Sequence, residues 1–244
     1  MRGLFVTGTD TGAGKSVLSA ALLAAIAAAG ESVRAHKPVV TGLETGGAEG
    51  WPADHELLGS AAGTRPEEVS PLRYGPAVSP HLAAALAGER IEPARLLAAA
   101  RAPGAQALIV EGVGGLLTPL SERFTVRELA AALGLPVLIA ARPGLGTLNH
   151  TLLTLRAARM AGLSVRAVVL TPWPRRPSDL ELSNRLTITR MGRVDVAGLA
   201  RAQGPDRCEL ARIGARLPWR RWLSGAAPQP RGAWRARRPA PALT

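Results

Sequence analysis

Lysine is almost missing from this chain. Of 30 basic side chains only Lys15 and Lys37 are lysine, and the other 28 are arginine. Arginine therefore serves wherever a surface position needs only positive charge. The two lysines mark places that favour a compact ammonium with three rotatable donors over a planar fork. Cysteine is nearly absent too. The single Cys208 excludes an intramolecular disulfide and points to a reducing compartment. Only eight aromatics occur, not interleaved with basic residues, which argues against a base-stacking platform for nucleic acid. No apolar run reaches the roughly 18 residues of a membrane span, because Gly30 and Glu31 stop the longest stretch. The first apolar segment leads into a glycine-rich loop, unlike a secretory leader. These features predict a cytoplasmic protein with neither a membrane nor a nucleic-acid partner.

Acidic residues are also scarce, 18 in all, which leaves a net charge of +12. The excess is concentrated at the end of the chain, where residues 201–244 hold ten arginines against Asp206 and Glu209. From Gly225 onward prolines alternate with arginines, so residues 225–244 read as a solvated, disordered tail. The preceding residues 1–224 read as one domain, because 47% hydrophobic content over 244 residues suffices for a full core. Short apolar runs at 4–6, 33–36, 107–110, 136–140 and 166–170 are expected strands. Helical signals fall between and after them at 14–29, 53–62, 93–101, 126–133, 147–161 and 178–191. This order predicts a three-layer α/β fold, a mostly parallel sheet covered by helices on both faces. Ligands in such folds bind beyond the carboxyl ends of the strands.

Both lysines lie at such strand ends. Lys15 closes Gly8-Thr9-Asp10-Thr11-Gly12-Ala13-Gly14-Lys15-Ser16, between an apolar strand and a helix beginning near Val17. That context is a phosphate-binding P-loop, here with five residues rather than four between Gly8 and Gly14. Glycines let backbone N–H groups approach phosphate closely, and the helix N-terminus adds partial positive charge. Lys15 would reach the terminal phosphates and Ser16 would ligate Mg²⁺. Lys37 follows the second strand in His36-Lys37-Pro38-Val39-Val40-Thr41-Gly42. Pro38 biases Lys37 toward extended backbone, directing it to the P-loop side as a phosphate clamp or an electrostatic catalytic group.

Three carboxylates are candidates beside them. Glu111 closes the third strand and opens Glu111-Gly112-Val113-Gly114-Gly115, the place for a Mg²⁺-directed acid. Asp54 stands at the start of a short helix and reads by itself as an N-cap. Asp10, within the P-loop, either braces the loop or approaches the metal.

Taken in order, the P-loop, Lys37-Pro38-Val39 with Thr41-Gly42, Ser79-Pro80-His81, the Glu111 segment and Gly146-Thr147-Leu148-Asn149-His150 resemble the dethiobiotin synthetase family. The resemblance runs from about residue 3 to residue 200 and includes the P-loop spacing. It implies an ATP- and Mg²⁺-dependent ligase that joins CO₂ to 7,8-diaminopelargonate, giving dethiobiotin, ADP and phosphate. It further implies that Lys37, Lys15 and Thr11 are catalytic, and that Ser16, Asp54 and Glu111 hold Mg²⁺. Nucleotide contacts would come from Gly12, Ala13, Gly14, Lys15, Ser16, Val17, Asp54, Glu111, Gly112, Val113 and Gly114. At the base they would come from Thr171, Pro172, Leu199, Ala200 and Arg201. Thr41 would contact the carbamate or amine. In the homodimer that the resemblance implies, Thr147, Leu148 and Asn149 of the second subunit would receive the substrate carboxylate. The family's Asn-Asp type turn is replaced here by Leu170-Thr171-Pro172-Trp173-Pro174, which leaves room for other nucleoside triphosphates. A partitioning ATPase would carry a second lysine early in the loop, and residues 8–13 have none. An amide synthetase of related ancestry would add a glutaminase domain, for which the chain is too short.

Overall fold

A computed structural model of the chain describes residues 2–45, 50–102 and 104–224. The expected tail at 225–244 lies outside the described residues, as does part of the glycine-rich loop at 42–50. The strands are β1 (Arg2–Gly8), β2 (Val33–His36), β3 (Val39–Val40), β4 (Leu72–Arg73), β5 (Ala107–Glu111), β6 (Pro119–Ser121), β7 (Phe124–Thr125), β8 (Val137–Ala141), β9 (Val165–Trp173) and β10 (Asp195–Ala200). The helices are α1 (Lys15–Ala28), α2 (Asp54–Ala62), α3 (Pro66–Val69), α4 (Pro80–Leu86), α5 (Pro93–Arg101), α6 (Val126–Leu133), α7 (Thr147–Met160), α8 (Asp179–Gly192), α9 (Arg207–Gly214) and α10 (Trp219–Ser224).

Six strands form one parallel sheet in the order β10-β9-β8-β1-β5-β2. After β1 the chain crosses to the β2 edge, returns through β5, then passes to β8 on the other side of β1. The loop after β1 therefore lies at the reversal of strand order, where an open α/β sheet leaves its crevice.

The strands are continuous apolar runs because the sheet is covered on both faces. Leu4 and Val6 of β1, with Ala107 and Ile109 of β5, face a core built with α1, α2, α9 and α10. Phe5, Leu108 and Val110 point the other way, into a core shared with α4 to α8. That alternation is the two-residue pleat. Helix α1 is buried almost all round, as its Ala- and Leu-rich sequence requires. It is crossed closely by α9: a Cβ at Gly214 would lie 2.0 Å from the Ala21 carbonyl oxygen.

All five expected strands and six expected helices form, with boundaries shifted by a few residues. The sixth strand, β10, was not among the expectations. Its Asp195-Val196-Ala197-Gly198 start is weakly apolar because it lies at the sheet edge, with only Leu199 fully buried. The short α3 and α4, together with α9 and α10, likewise lack a long periodic pattern.

Candidate active site

The P-loop is tied to the sheet at once. Thr9 donates its backbone N–H to the Ala140 carbonyl of β8, 3.0 Å away. Gly12 and Gly14 take φ of 71° and 86°, the left-handed region open to glycine. Gly14 is the N-cap of α1, and the Leu18 N–H returns to its carbonyl at 3.0 Å. It also has a steric reason to lack a side chain, since a Cβ would come 2.5 Å from Thr171 Cγ2. Asp10 braces the loop through its Oδ1, which accepts the Thr11 backbone N–H at 2.7 Å. Lys15 is buried and folds over its own loop, donating from Nζ to the Asp10 carbonyl at 3.0 Å. Burial holds its pKa below the ordinary lysine value. The Glu111 carboxylate pulls upward against that, and the Lys37 charge adds to the lowering.

Lys37, only 3% exposed, leaves the end of β2 and reaches across to β5. Its Nζ donates to Glu111 Oε1 at 2.6 Å and to Asp54 Oδ2. Register explains the first contact: His36 pairs with Val110, so the next residues of the two strands emerge side by side. Burial disfavours the Lys37 ammonium, but the Glu111 and Asp54 charges and hydrogen bonds outweigh it and raise its pKa. Burial likewise disfavours the Asp54 carboxylate, and Lys37 overrides it, holding Asp54 below its usual range. Ser16 Oγ donates to the same Glu111 Oε1 at 2.8 Å. Asp54 is not the helix N-cap that its position suggested in isolation. Ala53 occupies that place, its N–H taken by Glu56 Oε2 at 2.9 Å, and this frees Asp54 for Lys37.

Residues separated by up to 95 positions thus converge beyond β1, β2 and β5. Glu111 is wholly buried, and its Oε2 has no hydrogen-bond partner among the described residues. A buried carboxylate oxygen of that kind calls for a cation or water. Two carboxylates and a hydroxyl form a hard oxygen set suited to Mg²⁺. No cluster of three or more His, Cys, Asp or Glu ligands exists among the described residues. Phosphate and water would have to complete the shell, as is usual for this ion.

The constellation opens into a cleft of about 1050 Å³. Of the residues expected at the site, Thr11, Gly12, Gly14, Lys15, Ser16, Val17, Lys37, Thr41, Asp54, Val113, Gly114, Thr171, Pro172, Ala200 and Arg201 line it. Ala13, Glu111 and Gly112 lie behind this wall, buried. Leu199 is buried in the core between α1 and the sheet and does not line the cleft. Thr147, Leu148 and Asn149 at the start of α7 do not line the cleft. Of the altered turn Leu170-Thr171-Pro172-Trp173-Pro174, Thr171 and Pro172 face the cleft.

Several contributors escaped sequence reasoning. Trp51, Leu57, Val78 and Thr118 line the cleft without belonging to a recognised phosphate motif. Arg142, just beyond β8, donates from Nε to the Gly12 carbonyl at 3.1 Å. In a chain with 28 arginines its identity gave no signal. Its position at the end of the strand beside β1 could have done so.

Known proteins resemble this chain along the same residues. A family model described as an AAA domain matches residues 2–202. The ATP-dependent dethiobiotin synthetase BioD of Anaeromyxobacter dehalogenans is 48% identical over 174 residues, 70% of this chain and 76% of that protein. The protein of the same name from Mycobacterium avium is 40% identical over 230 residues, 92% of this chain and 98% of its own length. Among solved structures, Cyanthece apo McdA superposes with a TM-score of 0.50 at 12% identity, covering 87% of this chain and 90% of that one, a likeness of fold alone. Identity of 40% across nearly the whole length of both proteins settles the family: the chain belongs to the ATP-dependent dethiobiotin synthetases.

Proposed function

We propose that this chain closes the ureido ring of dethiobiotin, joining CO₂ to 7,8-diaminopelargonate with ATP as co-substrate, and that the Lys15–Lys37 cleft is where it does so. One substrate amine adds to CO₂ and loses a proton, giving a carbamate. A carbamate oxygen attacks the γ-phosphorus and ADP leaves. The second amine then attacks the carbonyl carbon of the resulting carbamic-phosphoric anhydride and expels phosphate. Negative charge builds first on carbamate oxygen and then on the transferring phosphoryl group. Fixed donors aimed at those atoms are the main catalytic resource.

In this reading Lys15 holds the β- and γ-phosphates, with Thr11 donating beside it. Lys37 faces the junction of carbamate and γ-phosphate, and Thr41 orients the carbamate or amine. Gly12, Ala13, Gly14 and Val17 shape the loop around the phosphates. Val113 and Gly114 flank the nucleotide from the loop after β5, and Thr171, Pro172, Ala200 and Arg201 surround the base. Ser16, Asp54 and Glu111 would hold Mg²⁺, which when bound offsets charge on the phosphates. The observation that carries the proposal is the Lys37 ammonium held between Asp54 and Glu111, with Ser16 on the same carboxylate, at the mouth of a P-loop.

The proposed assembly is a homodimer in the cytoplasm. Leu145, Leu153, Leu182 and Leu186 on and beside α7 and α8 are exposed, and Leu145 is 93% accessible. A self-complementary partner would cover such an apolar face. It would also bring a second α7 N-terminus to a cleft that Thr147–Asn149 of the same chain do not line. No helix among the described residues is long and apolar enough to cross a membrane.

The deciding assay is phosphate release by purified protein with bicarbonate, Mg²⁺ and ATP, with and without diaminopelargonate. Diamine-dependent release is expected. Its absence with every nucleoside triphosphate would overturn the reading.

A further inference from the structure

Besides Lys15, a cation from outside the P-loop touches it directly. Arg142 follows β8, whose Ala140 pairs with Gly8 of β1, so it leaves the sheet directly beside the phosphate loop. Its Nε donates to the Gly12 carbonyl at 3.1 Å, and its Nη2 lies 2.7 Å from where a Gly12 Cβ would project. The guanidinium thus occupies the space that a side chain at position 12 would need. Its backbone is held in turn. Pro143 restricts Arg142 to extended conformations. Buried Asn184 of α8 donates its side-chain amide to the Pro143 carbonyl at 2.9 Å and to the Gly144 carbonyl at 3.2 Å.

We infer that Arg142 is a positioning residue for nucleotide binding: it fastens the Gly12 carbonyl outward, so that the loop presents N–H groups rather than a carbonyl oxygen to the phosphates. A P-loop binds anions because successive peptide N–H groups point at one locus. A peptide plane free to rotate at Gly12, whose φ of 71° only glycine adopts readily, would swing its carbonyl dipole toward the phosphates. A hydrogen bond from outside the loop opposes that rotation. Arg142 itself stays exposed, in keeping with a brace on the outer side of the loop rather than a group enclosed with the substrate.

This inference rests on the nucleotide-site reading, and a binding measurement separates the two. A fluorescent ATP analogue is titrated, without diamine, into wild type, Arg142→Ala, Arg142→Gln and Arg142→Lys. Thermal melts check that each variant folds, as expected for an exposed side chain. The expected result is about tenfold weaker binding for Arg142→Ala, matched by a similar rise in KM for ATP, with kcat and KM for the diamine within about twofold of wild type. Arg142→Gln keeps a neutral N–H donor and should recover at least half of the lost binding free energy. If Gln behaves like Ala while Lys restores binding, charge acting on the phosphates is responsible and the positioning role is wrong. Unchanged binding in Arg142→Ala overturns it outright. Wild type that binds no nucleotide would instead refute the site reading itself.

Discussion

Replacing Lys37 by methionine keeps the length of the side chain and removes its charge. In the structure one ammonium is shared between two carboxylates, and the 2.6 Å contact with Glu111 is wholly inside the protein. The Asp54 arm counts for less, because that side chain is 42% exposed and water can replace the lysine there. Leaving Glu111 without its cation places the substitution among losses of one partner of a buried ion pair, roughly 3 kcal/mol. For a protein of this size that lowers Tm by about 6–12 °C. The vacated carboxylates should then gain affinity for a divalent cation. In thermal melts with chelator or with millimolar Mg²⁺, the ion should raise Tm more for Lys37→Met than for wild type. Turnover should fall by about 10²–10³-fold, the cost of losing one preorganised donor to developing charge. Lys37→Arg retains the charge and the fold but replaces a point donor by a bulkier fork, and it too should lose most turnover. Unchanged stability of Lys37→Met in chelator would refute the buried-pair argument. Near wild-type turnover of Lys37→Arg would show that charge alone suffices.

Three further outcomes follow from other residues. His36 is 1% exposed, and burial, with the Arg34 charge second, pushes its pKa down to about 4. A histidine depressed below its unfolded value of roughly 6.5 contributes stability that is present above that pH and lost as pH falls toward 4. The chain should therefore lose about 2 kcal/mol from this residue between pH 7 and pH 5. Urea unfolding at both values should show a smaller loss for His36→Leu, and an equal loss would rule His36 out as the cause. Gly14→Ala should cost on the order of 1–3 kcal/mol and weaken nucleotide binding, through left-handed backbone strain and the 2.5 Å approach to Thr171 Cγ2. Adding Thr171→Ser removes that methyl and should restore part of the stability; no recovery would leave backbone strain as the whole effect. If α7 of one subunit completes the cleft of the other, mixing inactive Lys37→Met with inactive Asn149→Ala should regenerate one intact site per mixed dimer, about a quarter of wild-type activity at equal amounts. Zero recovery after verified subunit exchange would place Asn149 and Lys37 in the same chain's site.

What the sequence disclosed was set by where physical constraint is local. Residues 4–6 and 107–110 read as strands because both faces of a parallel sheet demand apolar side chains, and Leu4, Phe5 and Val6 are indeed wholly buried. The P-loop was legible for a similar reason, since close backbone approach and positive φ leave glycine in a recognisable spacing. Strand β10 was hidden because an edge strand needs neither uniform burial nor β-branched residues. Gly198 is required there by a neighbour, as a Cβ would meet Trp173 Cγ at 2.6 Å, and no local pattern records that.

The site divides along the same line. Asp54 looked like a helix cap when only its neighbours were considered, and it becomes a partner of Lys37 only when β2 and α2 are packed together. Lys37 itself stood out because the chain uses lysine so sparingly, yet Arg142, in contact with the same loop, was lost among 28 arginines. Rarity of a residue type raises the visibility of a functional group without bearing on its importance. The contact that distinguishes Arg142 from the other arginines is a single hydrogen bond to a carbonyl 130 residues earlier, fixed by the pairing of β8 with β1. Long-range register of this kind decides which of many equivalent guanidiniums can act on the phosphate loop.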